Sequence, residues 1–464
     1  MLSVNSRPAG DHAILYGLLA LLIWLPLPLG SNRVWAWSIM EVWVLALSLM
    51  WLTQYLRGRV TVNQAFIRAW PVTICLVLVC LWMQFQLVAL PAGLLKMLSP
   101  AALEIHTATN TEFTVSLNVY ATRFSVLHTL SYVLIFSLTL LVINDRRRLI
   151  LLAQILVISG VFQAAYGSLM TLSGAEYGFF FEKEHYRGVA TGTFINRNHL
   201  AGYLEICLAV GIGLMVAQLS DTSETTWRKR VRKFLQTMLS SKALVRVGLV
   251  VMVIGLVLTH SRMGNTAFFL SMIMMGFFYM VFVRRVSRGT VIFFASLLVI
   301  DLMVVGNFFG IEEVAQRLQE TSFDSSMRDE VARDTLVMVR DYPLTGTGAG
   351  SFYSTYPMYD AGSFRFSFVK HTHNDYLEFA SNLGLLAFGL LGFCVLVSLW
   401  QSIRAQLGRR DRLMQGMGFA ASMAIVALLI HSIVDFNLHI PANAATFVVI
   451  LALGWISRFS GRIY

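Results

Sequence analysis

Charged residues are scarce in this chain of 464 residues. Only 13% of the residues are charged, 56% are hydrophobic, and the mean hydropathy is +0.66. Soluble domains carry roughly a quarter of charged residues, so this composition excludes a soluble globular protein. The chain also lacks the alternation of apolar and polar residues over ~10-residue segments that is typical of an outer-membrane barrel. These absences predict an all-α, polytopic membrane protein.

Several common chemical motifs are missing as well. The chain has no DxD pair and no HExxH site that would bind a divalent metal. The glycines of residues 185–205 do not follow the spacing of a nucleotide-binding loop. The cysteines form neither a CxxC nor a Cys/His pattern, so we assign them no metal or redox role. We therefore expect no metal and no cofactor. The four cysteines are Cys75, Cys80, Cys207 and Cys394.

The apolar runs predict about twelve transmembrane helices, because a helix needs about 20 apolar residues to cross the hydrocarbon core of a membrane. The first run resembles a signal peptide, but the sequence LPLPLGSNRVW that follows has no clean small-residue cleavage site. We expect it to be retained. The predicted spans lie near 13–28, 34–55, 70–90, 124–144, 149–172, 199–219, 243–260, 264–283, 290–309, 376–400, 413–430 and 440–457.

The net charge of +11 comes from basic residues that lie in alternate loops. The positive-inside rule makes these loops cytoplasmic, so the charge indicates contact with membrane lipids and not with nucleic acid. The long polar loops then lie on the outer, periplasmic side. The longest, 307–375, separates spans nine and ten and is predicted to contain short helices over 311–320 and 327–341. Residues 1–464 are treated as a single integral membrane domain.

Two arginines of the outer side are candidate anion ligands. A guanidinium group offers a planar fork that matches phosphate and keeps its charge. Arg262 follows the seventh predicted span and can act as such a clamp or as an interfacial anchor. Arg328 begins a loop helix beside Asp329 and Glu330, so a local ion pair is the alternative to a phosphate contact.

Histidines and asparagines cluster in the same region. His373 and Asn374 precede the tenth span, where Thr372 or His371 is expected to cap the helix. A helix N-terminus lowers the pKa of a nearby imidazole, so His373 is a candidate general base, with a buried structural histidine as the alternative. Further candidates are a His431/Asp435 pair, spaced i, i+4 on one helix face, together with Arg187 and Asn198 of the loop before the sixth span.

The motifs resemble one family, the O-antigen ligase and polymerase superfamily of bacterial envelope glycosyltransferases. The similarity covers roughly residues 150–455, and the order of the motifs also matches. The matching segments are GTFINRNHLAGYL (192–204), SRMG (261–264), RDEVARDTLVMVRDYPLTGTGAGSF (328–352), HTHNDYLEFASNLGLLAFG (371–389) and HSIVDFNLHIPANAATF (431–447).

The resemblance implies an inverting, metal-independent enzyme of the bacterial inner membrane with its active site facing the periplasm. Its donor is expected to be a glycan on undecaprenyl diphosphate, and its acceptor a sugar hydroxyl of another glycan or of lipid A-core. Carried onto this sequence, His373 is the base, while Arg262, Arg328 and the weaker candidate Arg187 bind the diphosphate. Asn374, His431, Asp435 and Asn198 are supporting residues.

Two questions stay open at the level of the sequence. The motifs do not separate a ligase, which moves a finished polysaccharide onto lipid A-core, from a polymerase, which joins repeat units. A lipid-linked glycan exporter without bond chemistry is the alternative from another class. The one-sided polar cluster and the lack of an internal repeat favour the enzyme.

Overall fold

The computed structural model describes residues 9–179, 181–218, 241–283, 289, 295–296, 328–360 and 369–461. Helices make up most of this part of the chain, and its one sheet consists of two short antiparallel strands, Tyr177–Gly178 and Phe181–Glu182. The helices are α1 His12–Trp24, α2 Val34–Leu56, α3 Gln64–Arg68, α4 Trp70–Phe85, α5 Ala92–Leu98, α6 Pro100–Thr109, α7 Val119–Val142, α8 Arg146–Ser173, α9 Arg197–Gln218, α10 Ser241–Leu258, α11 Arg262–Phe282, α12 over residues 328–341, α13 Phe352–Thr355, α14 Asp375–Gly408, α15 Arg412–His431 and α16 Pro441–Phe459.

The prediction of an all-α, multi-pass membrane protein is confirmed. Within the described residues, 8 helices are long and apolar enough to cross a membrane, and three shorter apolar helices accompany them. Each predicted span except the ninth corresponds to one of these helices. The ninth, 290–309, lies almost entirely outside the described residues, so the total of twelve stays a prediction.

The helices differ strongly in how far the protein encloses them. The apolar part of α9 is 94% buried, whereas that of α2 is 22% buried and leaves most of its surface for lipid. Glycines allow α9 to approach α15 closely: a Cβ atom on Gly213 would overlap the carbonyl oxygen of Gly416, and the reverse also holds. This central pair of helices carries Glu205 and His431, which belong to the site described below.

The loops between the long helices contain short helices, which the sequence indicates only in part. The predicted helix over 327–341 is confirmed for its described residues 328–341 and is followed by turns over 342–350. The segment 311–320 lies outside the described residues. The helices α5 and α6 between the third and fourth spans were not predicted.

The helix α14 is broken at Gly384, whose backbone has φ 76° and ψ 162°, a conformation that is essentially restricted to glycine. The glycine-rich turn of residues 343–350 docks against the break. Thr347 N donates to Ser381 O at 2.9 Å, and Leu385 N donates to Pro343 O at 2.8 Å. The turn therefore satisfies backbone groups that the break leaves without helical partners, and it fixes the first turns of α14.

Gly384→Ala is expected to destabilise the protein, because its Cβ atom would overlap the Leu344 carbonyl and the left-handed backbone costs about 1–3 kcal/mol for a non-glycine residue. The melting temperature in detergent measures the effect. Gly389→Ala is the matched control on the same helix, since a Cβ atom there meets nothing within 4 Å. Equal melting temperatures for the two variants would contradict the role of the break.

Candidate functional site

A turn of four residues, 371–374, leads into α14 and carries the candidate base. Asn374 caps the helix: its Oδ1 atom accepts from Leu377 N at 3.1 Å, and its Nδ2 atom donates to Ile433 O at 2.8 Å. The predicted cap by Thr372 or His371 is therefore wrong. Thr372 instead supports the cap, because its hydroxyl accepts from Asn374 N at 3.0 Å. Asn374 thus joins the turn to the loop of residues 432–440, which connects α15 to α16.

His373 occupies a strained backbone conformation with φ 53°, which is uncommon for a residue other than glycine and is frequent at functional sites. Its Nδ1 atom is buried without a hydrogen-bond partner and lies 4.0 Å from Asp435 Oδ1. The side chain as a whole is 28% exposed. The accessible part of the ring therefore lies away from Nδ1, where a substrate can reach it.

Burial favours the neutral form of the His373 imidazole. Burial lowers the pKa of His373 below its usual value; the Asp435 carboxylate opposes this effect, and the Arg328 guanidinium adds to it. A neutral imidazole is the form that accepts a proton. The guanidinium group of Arg328, at the start of the described part of α12, is therefore one of the charges that influence the pKa of His373.

Asp435 is the carboxylate at the centre of this region and is 1% exposed. His199 Nε2 lies 3.8 Å from Asp435 Oδ1 and, like His373 Nδ1, is buried without a hydrogen-bond partner. Burial alone would raise the pKa of Asp435, but His199, His431 and His373 outweigh it and hold the pKa below its usual value. Asp435 therefore carries a negative charge at neutral pH and can orient the imidazoles beside it.

The predicted i, i+4 pair of His431 and Asp435 on one helix face is wrong. The helix α15 ends at His431, so the helical spacing does not continue to Asp435. His431 Nδ1 instead lies 2.7 Å from Glu205 Oε1 of α9, and both side chains are 0% exposed. Asp435 influences His431 only through its charge.

Phe436 brings three of the imidazoles together. The His371 ring stacks on it with centroids 4.1 Å apart, and the rings of His373 and His199 meet it edge-on at 4.9 Å and 4.7 Å. Such aromatic pairs stabilise by about 0.5–1.5 kcal/mol beyond the area that they bury. Phe436 therefore contributes to the positions of His373 and His199 without any polar contact.

The remaining predicted residues lie on α9, on α11 and in the loop before α9. Arg262 is the exposed first residue of α11, and two residues later Gly264 packs on Ala201 near the start of α9. Asn198 is half-buried in the first turn of α9, next to His199. Arg187 lies in the strand-containing loop before α9, where it pairs with Glu182 at 2.7 Å and both side chains are about 60% exposed. Its role as a diphosphate ligand stays a prediction.

A cavity of about 590 Å³ lies beside the polar centre. His439, Asp375 and Ser432 line part of it, and the rest of its lining consists mostly of apolar side chains of α4, α7, α14 and α16. Leu76 and Leu396 also line it. The polar centre is therefore continuous with an apolar space that can hold part of a lipid chain.

Residues 247–393 match the protein-family model described as O-antigen ligase. This match supports the resemblance of the chain to the O-antigen ligase superfamily. The family points to membrane enzymes of the ligase or polymerase type, which act on lipid-linked glycans. The matched range contains Arg262, Arg328 and His373, whereas Asp435 lies outside it. The comparison with curated proteins found no match.

The sequence reasoning missed three members of the site. Glu205 lies inside an apolar span, where an ionisable residue is costly and by itself suggests a function; this signal could have found it. Phe436 and His439 carry no such signal. Phe436 is one of many aromatic residues, and His439 gains its meaning only from the two carboxylates that face it.

Asp435→Asn is expected to lower the pKa of His373 further, because it removes the charge that raises this pKa. Nuclear magnetic resonance titration of histidine-labelled protein in detergent measures the shift, and His373→Gln assigns the signal. Asp341→Asn is the control, since Asp341 accepts from the Tyr359 hydroxyl at 2.7 Å and belongs to the end of α12. An unchanged or raised His373 pKa in Asp435→Asn would show that Asp435 does not act on the imidazole.

Proposed function

We propose that this protein is an inverting, metal-independent glycosyltransferase. It transfers a glycan from undecaprenyl diphosphate to a sugar hydroxyl, at the periplasmic face of the bacterial inner membrane. The observation that carries the proposal is a partly exposed His373 whose Nδ1 atom lies 4.0 Å from the buried Asp435 carboxylate. Burial, together with the charge of Arg328, lowers the pKa of this histidine. The O-antigen ligase match over residues 247–393 supports the same class of reaction.

In the proposed reaction, the exposed nitrogen of His373 takes the proton of the acceptor hydroxyl. The acceptor oxygen forms a bond to the anomeric carbon on the face opposite the leaving group. The bond from that carbon to the diphosphate oxygen breaks, and its electron pair stays on the diphosphate. Asp435 holds the Nδ1 side of His373 and stabilises the imidazolium that forms.

The leaving diphosphate needs fixed positive charge, and preorganised charges are most effective in a site that excludes water. Arg328 acts on His373 electrostatically, and Arg262 begins α11 at the same end of the bundle as His199. We propose these two arginines as the diphosphate ligands, with Arg187 as a weaker third candidate. The apolar cavity beside His439 supports a donor that carries a lipid chain.

His373→Ala is expected to lower the transfer rate by about 10²–10⁴-fold, the usual contribution of a general base. In the native protein the rate should fall as the pH falls through the His373 pKa, because the protonated ring cannot accept a proton. Since that pKa is lowered, this limb should lie below the usual histidine value of about 6.5.

The assay uses purified protein, undecaprenyl-diphosphate-linked donor and EDTA, with His12→Ala as the control. His12 is exposed at the end of α1 beside Asp11, which pairs with Arg148 at the opposite end of the bundle from His373. Full activity of His373→Ala would exclude His373 as the general base. Activity that is lost in EDTA and restored by magnesium would contradict the metal-free mechanism. Export of the glycan without formation of a glycosidic bond would exclude the transfer reaction.

Arg262→Lys and Arg328→Lys are each expected to retain little activity, because the point charge of lysine cannot reproduce the two-pronged contact of guanidinium with phosphate. The transfer rate with the same donor measures the loss. Arg57→Lys is the control, since Arg57 is exposed at the end of α2. If both site variants had rates near that of the native protein, the two arginines would serve as helix anchors and not as diphosphate ligands.

Two acceptors fit this chemistry: lipid A-core for a ligase, and another glycan chain for a polymerase. The surface polysaccharide of a deletion strain separates them on a gel. Loss of all chains from the core identifies a ligase, whereas loss of chain length alone, or of a secreted polymer, identifies a polymerase.

A further inference from the structure

His439 lies between two buried carboxylates at the start of α14. Its Nδ1 atom is 2.8 Å from Asp375 Oδ1, and its Nε2 atom is 3.3 Å from Glu378 Oε1. The side chains of Asp375 and Glu378 are 2% and 3% exposed. The Nδ1 contact is a hydrogen bond, whereas Glu378 lies at ion-pair distance from Nε2; both contacts are favourable to the imidazolium form, in which each ring nitrogen carries a proton. The ring of Phe379 stacks on His439 at 4.6 Å and holds its plane.

The charge state of His439 follows from these neighbours. Burial alone would lower the pKa of His439, but Glu378 and Asp375 raise it to about 9. The described titratable groups that face the ring are these two carboxylates of α14 and His371, whose ring centroid lies 5.6 Å away. His439 is therefore a fixed cation at neutral pH, in contrast to His373.

Glu378 transmits the position of His439 to the turn that carries the candidate base. Its Oε1 atom also lies 2.8 Å from His371 Nδ1, and its Oε2 atom accepts from Thr372 N at 2.9 Å. The two residues that precede His373 are thus both held by Glu378. No other described side chain ties His371 and Thr372 together in this way.

Asp375 connects the same cation to the other side of the site. Its Oδ2 atom accepts from the Ser432 hydroxyl at 2.7 Å and from Leu438 N at 3.2 Å. Its own backbone N–H donates to the carbonyls of Ser432 and Asp435. The loop of residues 432–440 and the first turn of α14 therefore meet at the His439 ring.

We propose that His439 is a positioning residue: bound between Asp375 and Glu378, it cross-links the 432–440 loop to α14 and fixes the turn that carries His373. This inference rests on the proposed role of His373 as the base. Without the cation, the two buried carboxylates lose the positive charge that they share and keep only their remaining hydrogen-bond partners, so the Glu378 contacts to His371 and Thr372 loosen. Small displacements of a reacting group of this kind cost about 100-fold in rate.

The test compares His439→Gln, His439→Lys and the native protein. We expect kcat to fall about 100-fold in His439→Gln, with a much smaller change in KM, and to recover at least in part in His439→Lys, which restores the positive charge. The His439 pKa of about 9 is raised above the usual histidine value, so the cross-link is complete at low pH and is lost as the pH rises through that value. The native kcat should therefore fall near pH 9, and His439→Lys should move this alkaline limb upward, because lysine has a higher intrinsic pKa.

Hydrogen–deuterium exchange of residues 371–379 provides a readout that does not need activity. Exchange should be faster in His439→Gln than in the native protein or in His12→Gln. The proposal would be overturned if His439→Gln kept the kcat and the exchange rate of the native protein. It would also be overturned if His439→Gln and His439→Lys lost kcat equally and the alkaline limb of the pH profile stayed in place in His439→Lys. A native protein that transfers no glycan would refute the proposed function, while the exchange result would still decide whether His439 holds the turn.

Discussion

The site depends on the neutralisation of buried carboxylates at one end of an apolar helix bundle. Asp375, Glu378 and Asp435 are each at most 3% exposed, and a charge in such surroundings is stable only when paired and hydrogen-bonded. Imidazoles provide that pairing, and they come from different parts of the chain. Because each carboxylate must meet its histidines, the ends of α9, α14 and α15 and the 432–440 loop are brought to one place.

The same residue type performs two tasks because its surroundings differ. His439 has a carboxylate within hydrogen-bond distance of each ring nitrogen, and its pKa rises. His373 has one carboxylate at 4.0 Å, and burial together with the Arg328 charge lowers its pKa. Two histidines that belong to one small cluster are thus a cation and a neutral imidazole at the same pH. The first suits a structural cross-link, and the second suits proton transfer.

The backbone around the site is as constrained as its charges. Gly384 breaks α14, and the 343–350 turn satisfies the freed backbone groups. Polar backbone that is left without partners at membrane depth costs several kcal/mol, so the break is tolerated only because a loop fills it. The first turns of α14, which carry Asp375 and Glu378, therefore depend on a segment about forty residues earlier in the chain. Arg328 belongs to the helix that ends at this turn, which links the candidate phosphate ligand to the histidine turn.

Hydropathy determined the helical class and the approximate position of every described span, because about 20 apolar residues can be placed in a membrane in few ways. The polar loops pointed to His373, Arg262 and Arg328, since ionisable residues are rare in such a chain. Which side chains contact each other was decided only by the tertiary structure. The His431/Asp435 prediction assumed a continuous helix, but α15 ends at His431, and the carboxylate that meets it is Glu205, 226 residues away. Local spacing reports which side chains share one helix face; it carries no information on which helices meet, and the packing of α9 against α15 decides that.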